Sequence, residues 1–299
     1  MKKDLLTLQD LTKAEILALI ARAIEIKKAG RNSNRTFVGY TLGLIFDKAS
    51  TRTRISFETA MFHLGGQTLF LTPGDTQISR NEPVKDTARV LSRYLDVLAI
   101  RTYSQEMVEE MAQWAEIPVI NALTDQYHPC QILSDLMTVK EKKGPLDTVR
   151  ITWVGDGNNV AHSWINAAKI IGFDLALACP PGYHPDPKVM KGAGENIILL
   201  EDPSKAVQDA DVINTDVWTS MGQDEERIQR LSDFQGFQIN QALLKTAKPD
   251  AIVMHCLPAH CGEEISAEVL EGPSSVVFDQ AENKMHLHKA LLEMLLLTK

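Results

Sequence analysis

"TLGLIFDKASTRTRISFETAMFHLGG", Thr41 to Gly66, is the stretch that decides how this chain folds. It opens on an apolar run of strand length, Thr41 to Phe46. Beyond Ser50 the apolar spacing changes. Ile55, Thr59, Phe62 and Leu64 recur near the helical period, so the sequence predicts a helix starting at Ser50 or Thr51. A strand that feeds a helix N-terminus leaves several backbone N–H groups unpaired and pointing one way, which suits an anion. Ser50, Thr51 and Thr53 add hydroxyl donors, and Arg52 adds a two-pronged guanidinium. Helix capping explains a single hydroxyl well. It does not explain Arg52 and Arg54 beside the hydroxyls, so an anion-binding turn, with phosphate as the common guest, is the better reading.

The same alternation extends in both directions. Thr12 and Glu15 form a capping box ahead of an amphipathic helix with Ile16, Leu19, Ile20, Ala23 and Ile24 on one face, closed by Gly30. Further strands are read at "QTLFLT", "DVLAIRT" and "IPVINAL", with helices at "EPVKDTARVLSRYL", "QEMVEEMAQWAE" and "PCQILSDLMTVKEKKG". Gly144 and Pro145 mark a domain boundary. A second series follows: "VRITWVG", "DLALACP", "NIILL", "ADVINTD", "AIVMHCLP" and "SVVFDQ", and the chain ends in an amphipathic helix that can return to the first domain. Strands alternating with helices imply α/β domains with parallel sheets and right-handed crossovers.

The 299 residues suffice for two domains, and 44% hydrophobic with 23% charged residues is ordinary for a globular protein. A net charge of −8 argues against nucleic acid or a membrane surface as the main partner, so an anion site must be local and suited to a small substrate. The four cysteines, Cys130, Cys179, Cys256 and Cys261, form no CxxC pair, which points to a reducing cytoplasm. "MKKDLLTLQDLTKAEI" does not read as a signal peptide, and no apolar run approaches a membrane span.

In open parallel sheets, ligands bind beyond the carboxyl ends of the strands. There the sequence places Ser50 to Arg54, Arg101, "HPCQ" (His128 to Gln131), "GDGNN" (Gly155 to Asn159), "DVWTSMG" (Asp216 to Gly222) and "HCLPAH" (His255 to His260). "GDGNNV" is a partial dinucleotide pattern, but the next strand, "LALACPPG", lacks the acid that a ribose needs. "HCLPAHC" contains metal-ligand types, yet Pro258 breaks helical presentation and no second cluster completes a known spacing, so no metal is expected. Trp114, Trp153, Trp164 and Cys179 are read as core. His255 is read as a packed histidine, and His286 and His288 as ordinary histidines.

Taken in order, "STRTR", "HPCQ", "DVWTSMG" and "HCLP" closely resemble the aspartate/ornithine carbamoyltransferases, and the likeness runs from "DLLTLQDLT" to "DQAENKMH". "SMG" and "HCLP" resemble the ornithine branch. The resemblance implies an α/β fold of two doubly wound parallel-sheet domains joined by two interdomain helices. Residues 1–143 with 284–299 would form a carbamoyl phosphate-binding domain, and residues 144–283 an ornithine-binding domain. It implies carbamoyl transfer from carbamoyl phosphate to the δ-amine of ornithine, a cytoplasmic homotrimer with shared active sites, and no metal or organic cofactor. Arginine biosynthesis is the commoner setting of that reaction.

By the same resemblance, Ser50, Thr51, Arg52 and Thr53 take the phosphate, and Gln77 reaches a neighbouring subunit's phosphate. Arg101 and His128 polarise the carbonyl oxygen, Gln131 holds the carbamoyl amide, and Cys256 and Leu257 lie over the reacting end. Asn159, Asp216, Ser220 and Met221 receive ornithine, and Cys256, with Asp216, orients or deprotonates the δ-amine. That chemistry is required, because an alkyl ammonium with a pKa near ~10.4 must lose a proton before it attacks. Two positions depart from the ornithine branch. Cys261 and Lys284 stand where it usually has arginine, and Lys284 keeps the charge without the fork, remaining a carbamoyl phosphate-binding candidate. Putrescine or an N-acylated ornithine as acceptor, and an inactive carbamoyl phosphate-binding homologue, are the alternatives to free ornithine.

Overall fold

The computed structural model describes residues 2–30, 35–76, 81–219 and 224–297. It divides into two compact units, one of residues 1–137 with 282–299, the other of residues 138–281.

In the first unit the strands are β1 (Thr41–Phe46), β2 (Gln67–Leu71), β3 (Val97–Arg101) and β4 (Val119–Leu123), all parallel, in the order β2-β1-β3-β4. The helices are α1 (Lys13–Ala29), α2 (Thr51–His63), α3 (Val84–Leu91), α4 (Gln105–Trp114) and the start of α5 (Pro129–Lys143). β1 and β3 are buried along their whole length, as parallel strands covered on both faces must be. Ile45, Leu98, Ile100, Val108, Met111 and Val119 join them to the helices in one apolar core.

The second unit carries β5 (Arg150–Val154), β6 (Asp174–Ala178), β7 (Ile197–Leu200), β8 (Val212–Thr215) and β9 (Ile252–His255), parallel in the order β7-β6-β5-β8-β9. Its longest helix is α6 (Asn159–Ile171), followed by α7 (Pro187–Met190), α8 (Pro203–Val207), α9 (Arg227–Asp233), α10 (Gln241–Leu244) and α11 (Ala267–Leu270). The last helix, α12 (Val277–Leu297), returns the chain to the first unit. Both passages between units fall inside α5 and α12. Gly144, where the sequence placed both a helix stop and a boundary, ends α5, its N–H donating to Lys140 O at 3.2 Å with φ at +90°.

Local expectations held where a short-range cause was present. Thr12 and Glu15 make the reciprocal capping box, Gly30 closes α1, and Ser50 caps α2 by accepting from the Thr53 N–H. Three readings are corrected. Ile55 and Phe62 do not form the buried face of α2. They are 54% and 70% exposed, while Thr53, Ser56, Phe57, Ala60 and Met61 face inward. Trp114 lies partly exposed beneath Arg89, whose guanidinium is 4.5 Å from the ring, whereas Trp153 and Trp164 are core. "SVVFDQ" is not a strand. Ser275 makes one bridge to Val253, and Val277 already begins α12. Among the described residues no helix is long and apolar enough to cross a membrane.

Candidate active site

In the first sheet the strand order reverses between β1 and β3, which makes that gap the switch point where a parallel sheet opens for a ligand. Phe46 and Arg101 are register partners at its carboxyl edge, and the Asp47 N–H donates to Arg101 O at 2.8 Å. The STRTR turn and Arg101 therefore leave the sheet side by side. Thr53 and Arg101 are buried, at 1% and 6% exposure. Lys284, from α12, is equally buried. Its ammonium donates to Thr53 Oγ1 at 3.1 Å and to Gln131 Oε1 at 2.9 Å, so it ties α2 to α5. A buried ammonium is tolerable only with such oxygen acceptors around it. The Gln131 amide nitrogen donates to Asp135 Oδ1 at 2.8 Å, which fixes the orientation of the carboxamide. His128 is buried just before α5. Burial, then the charges of Lys284 and Arg101 and the proximity of His288, hold its pKa well below the usual histidine value, so the ring is neutral.

The second sheet repeats the device. Its order reverses between β5 and β8, where Val154 pairs with Thr215, and Thr215 pairs with His255 on β9. Asp216 and Cys256, each one residue past those strand ends, meet there. The Cys256 thiol donates to Asp216 Oδ1 at 3.1 Å. The other carboxylate oxygen of Asp216 is 3.4 Å from Asn158 Nδ2, and Asn158 caps α6 by accepting from the N–H groups of Val160 and Ala161. Asn159 is the first residue of that helix. The turn after Cys256 is strained, because Leu257 is a branched residue at φ +59°. It is held by a fully buried pair: Leu257 N–H donates to His255 Nδ1 at 2.9 Å, and His255 Nε2 to Glu264 Oε1 at 3.0 Å.

Each half gathers its share of the sequence-predicted residues. Ser50, Thr51, Arg52, Thr53, Arg101, His128, Gln131 and Lys284 belong to the first unit, and Asn159, Asp216, Cys256 and Leu257 to the second. Gln77, Ser220 and Met221 lie outside the described residues. Arg54, which helped to suggest an anion site, has other duties. Its Nε donates to Glu58 Oε1 at 2.9 Å, and its guanidinium lies 3.5 Å from the Phe70 ring centroid. The glycines of "GDGNN" also have a structural cause, since a Cβ on Gly157 would come within 2.2 Å of Pro185 N. Asp216, His255 and Cys256 offer ligand atoms within 4.8 Å of one another. Both ring nitrogens of His255 are engaged by Leu257 and Glu264, which leaves an acid–thiol pair rather than a metal-ligand triad. Sequence reasoning passed over Asn158 and Glu264. Asn158 had a signal in its place before α6; Glu264 had none, because its role depends on a tertiary contact with His255.

The family model described as the carbamoyl-P binding domain of aspartate/ornithine carbamoyltransferase matches residues 3–141. The one described as the Asp/Orn binding domain matches residues 147–295. The ornithine carbamoyltransferase of Desulfotalea psychrophila is 57% identical over 299 residues, covering 98% of this chain and 99% of that protein. That of Syntrophus aciditrophicus is 55% identical over 302 residues, covering 99% and 100%. Among solved structures, the ornithine carbamoyltransferase from Pyrococcus furiosus superposes with a TM-score of 0.96 at 50% identity, covering 100% of this chain and 98% of that one. The two sheets with reversing strand order, the turn and helix at the first switch point, and these full-length matches lead to one conclusion: the chain belongs to the aspartate/ornithine carbamoyltransferase family.

Proposed function

We propose that this protein transfers the carbamoyl group of carbamoyl phosphate to the δ-amine of L-ornithine, giving L-citrulline and phosphate, as a step of arginine biosynthesis. The observation that carries the reading is the contrast in chemistry at the two switch points. One presents a helix N-terminus with Arg52, Arg101 and Lys284, the other an acid–thiol pair. The first unit is the carbamoyl phosphate-binding domain and the second the ornithine-binding domain.

In this reading the N-terminus of α2 takes the phosphate with Ser50, Thr51, Arg52 and Thr53, and Lys284 adds its charge. Arg101 and neutral His128 donate to the carbonyl oxygen, where negative charge grows during attack. Gln131 Oε1 has a second lone pair beside the one given to Lys284, and accepts from the carbamoyl NH2. Asn159 and Asp216 hold the amino-acid end of ornithine, with Ser220 and Met221. Cys256 and Asp216 orient the δ-amine, and the Asp216 carboxylate, which already accepts from the Cys256 thiol, receives the proton that it sheds. The freed nitrogen lone pair forms the C–N bond. The bond from the carbonyl carbon to the bridging oxygen breaks, its electrons leave on phosphate, and one of the two protons left on the attacking nitrogen goes to phosphate while the other stays as the ureido N–H.

The protein works as a cytoplasmic homotrimer with shared active sites. In favour of self-association, the first unit leaves Ile55, Phe62 and, on the edge strand β2, Leu69 exposed, at 54%, 70% and 49%. In favour of the reducing compartment, Cys130, Cys179, Cys256 and Cys261 form no disulfide among the described residues. The test is a ureido-product assay with carbamoyl phosphate and, separately, ornithine, putrescine, N-acetylornithine and aspartate. Product from ornithine alone is expected. Product from another amine moves the acceptor assignment, and no product from any acceptor removes the enzymatic reading. Light scattering on the purified protein should give three copies of the 33.2 kDa chain.

A further inference from the structure

Two residues one helical turn apart on α12 reach the start of α2. Lys284 meets the Thr53 hydroxyl. The other is His288, which is fully buried and lies flat on Phe57, with ring centroids 3.6 Å apart and planes at 12°. Its Nδ1 is 3.1 Å from Ser56 Oγ, and Ser56 Oγ is 3.0 Å from the carbonyl oxygen of Thr53. A hydroxyl has one hydrogen to give. The carbonyl can only accept, so Ser56 donates to Thr53 and His288 must donate from Nδ1 to Ser56. That fixes the tautomer: Nε2 carries the lone pair, and it has no hydrogen-bond partner among the described residues. An unmet acceptor is the tolerable choice in a core, since a buried unpaired N–H is the rarer defect. The chain of contacts therefore runs from His288 through Ser56 to the backbone of Thr53, the residue whose N–H closes on Ser50 and whose hydroxyl receives Lys284.

We propose that His288 is a positioning residue for the carbamoyl phosphate cradle, holding the first turn of α2 in register with Lys284 through its Nδ1–H bond to Ser56. The proposal rests on the reading of that turn as the phosphate site. The ring is well suited to a fixed hold, because burial, then the charge of Lys284, keeps it neutral far below the usual histidine range. It contributes a donor and a flat apolar face without adding a further cation beside Lys284.

The experiment is steady-state kinetics on His288→Leu, His288→Gln, Ser56→Ala, the double variant His288→Leu/Ser56→Ala, and Thr53→Val. Removal of the bond from either side should raise KM for carbamoyl phosphate about tenfold, with KM for ornithine within about twofold. The double variant should be no worse than the poorer single one, because both remove the same bond. Glutamine, which keeps an N–H donor, should restore KM to within about threefold of the parent. A core role without positioning would move kcat and both KM values together and would not be rescued by glutamine; that outcome overturns the proposal. So does an unchanged carbamoyl phosphate KM in His288→Leu and Ser56→Ala while Thr53→Val raises it. If Thr53→Val also leaves KM unchanged, the phosphate reading of the turn fails and the proposal fails with it. Should His288→Leu not fold, Ser56→Ala decides alone.

Discussion

The two units solve the same topological problem with opposite electrostatics. At the β1/β3 switch point the charged groups are cationic, and Arg101 and Lys284 are deeply buried and cross-braced. Lys284 bonds to α2 and α5 at once, and Asp47 ties the turn back to Arg101. At the β8 and β9 strand ends the groups are an acid and a thiol, both half-buried, and the turn beside them is a strained Leu257 held by one imidazole and one carboxylate. The difference suits the work that the proposed reaction gives to each. Stabilising a departing phosphate and a polarised carbonyl needs fixed donors that do not reorganise as charge develops. Taking a proton from an alkyl ammonium needs a group that changes its own protonation, for which some solvent access is an advantage.

That contrast can be broken most sharply at Asp216. Asp216→Asn should lower kcat/KM for ornithine by about 10³, roughly 4 kcal/mol, with KM for carbamoyl phosphate nearly unchanged. Equal damage on both substrates would remove the division between halves. Next in size, Gly157→Ala should destabilise the protein by about 3 kcal/mol, because its Cβ would meet the Pro185 backbone rather than a movable side chain. A denaturant midpoint equal to the parent's would show that the approach of residues 184 and 185 is not tight. A smaller effect is expected at Arg52. Arg52→Ala should raise carbamoyl phosphate KM and lower kcat together, by about 30-fold in kcat/KM, as for a contact that strengthens while phosphate leaves. A change in KM alone would mean that Arg52 binds both states equally.

The smallest effect concerns pH. His128 is lowered by burial, Lys284, Arg101 and His288, and His288 by burial and Lys284. Both rings are neutral in the folded protein, whereas the unfolded chain takes up protons as pH falls below about 6.5. The unfolded state then binds more protons, so this stability is fully present above that pH and is lost on going below it. Each ring contributes a slope of at most about 1.4 kcal/mol per pH unit. His286, lowered by burial against the pull of Glu282, acts in the same direction. Denaturant unfolding from pH 7 to 5 should show the loss, and His288→Gln should have a shallower slope. An identical slope would mean that His288 is already protonated in the fold. Glu15 does not confuse the window, since its bonds to Lys3 and Thr12 hold it at about 2 and it responds only in more acidic solution.

Elements with a local cause were legible in the sequence. The capping box at Thr12, the Ser50 cap and the largely apolar strands β1 and β3 depend on neighbours within a few residues. The position of the polar motifs past the strand carboxyl ends was legible because the strands themselves were, and that is where a parallel sheet opens for a ligand. Misreadings came where a distant surface decides. The spacing of Ile55 and Phe62 resembles a core face, yet α2 is rotated so that Ser56 and Phe57 meet α12 instead. "SVVFDQ" has strand composition, but Val253 accepts only a single bridge there before the chain turns into α12. Arg54 shares its motif with Arg52 and serves Glu58 and Phe70.

The sequence by itself determined the α/β alternation, the parallel sheets and the set of polar motifs at the strand ends, because period, capping and apolar runs are properties of short segments. Only the tertiary structure decided which of those polar groups are braced and by what. Lys284 reaches Thr53 across 231 positions of sequence, and Ser56 meets His288 across 232. His255 is locked by a carboxylate whose role no local pattern announces. Contacts of that separation form only when helices far apart in the chain pack on one sheet. Their energetics depend on burial, which a linear pattern does not specify.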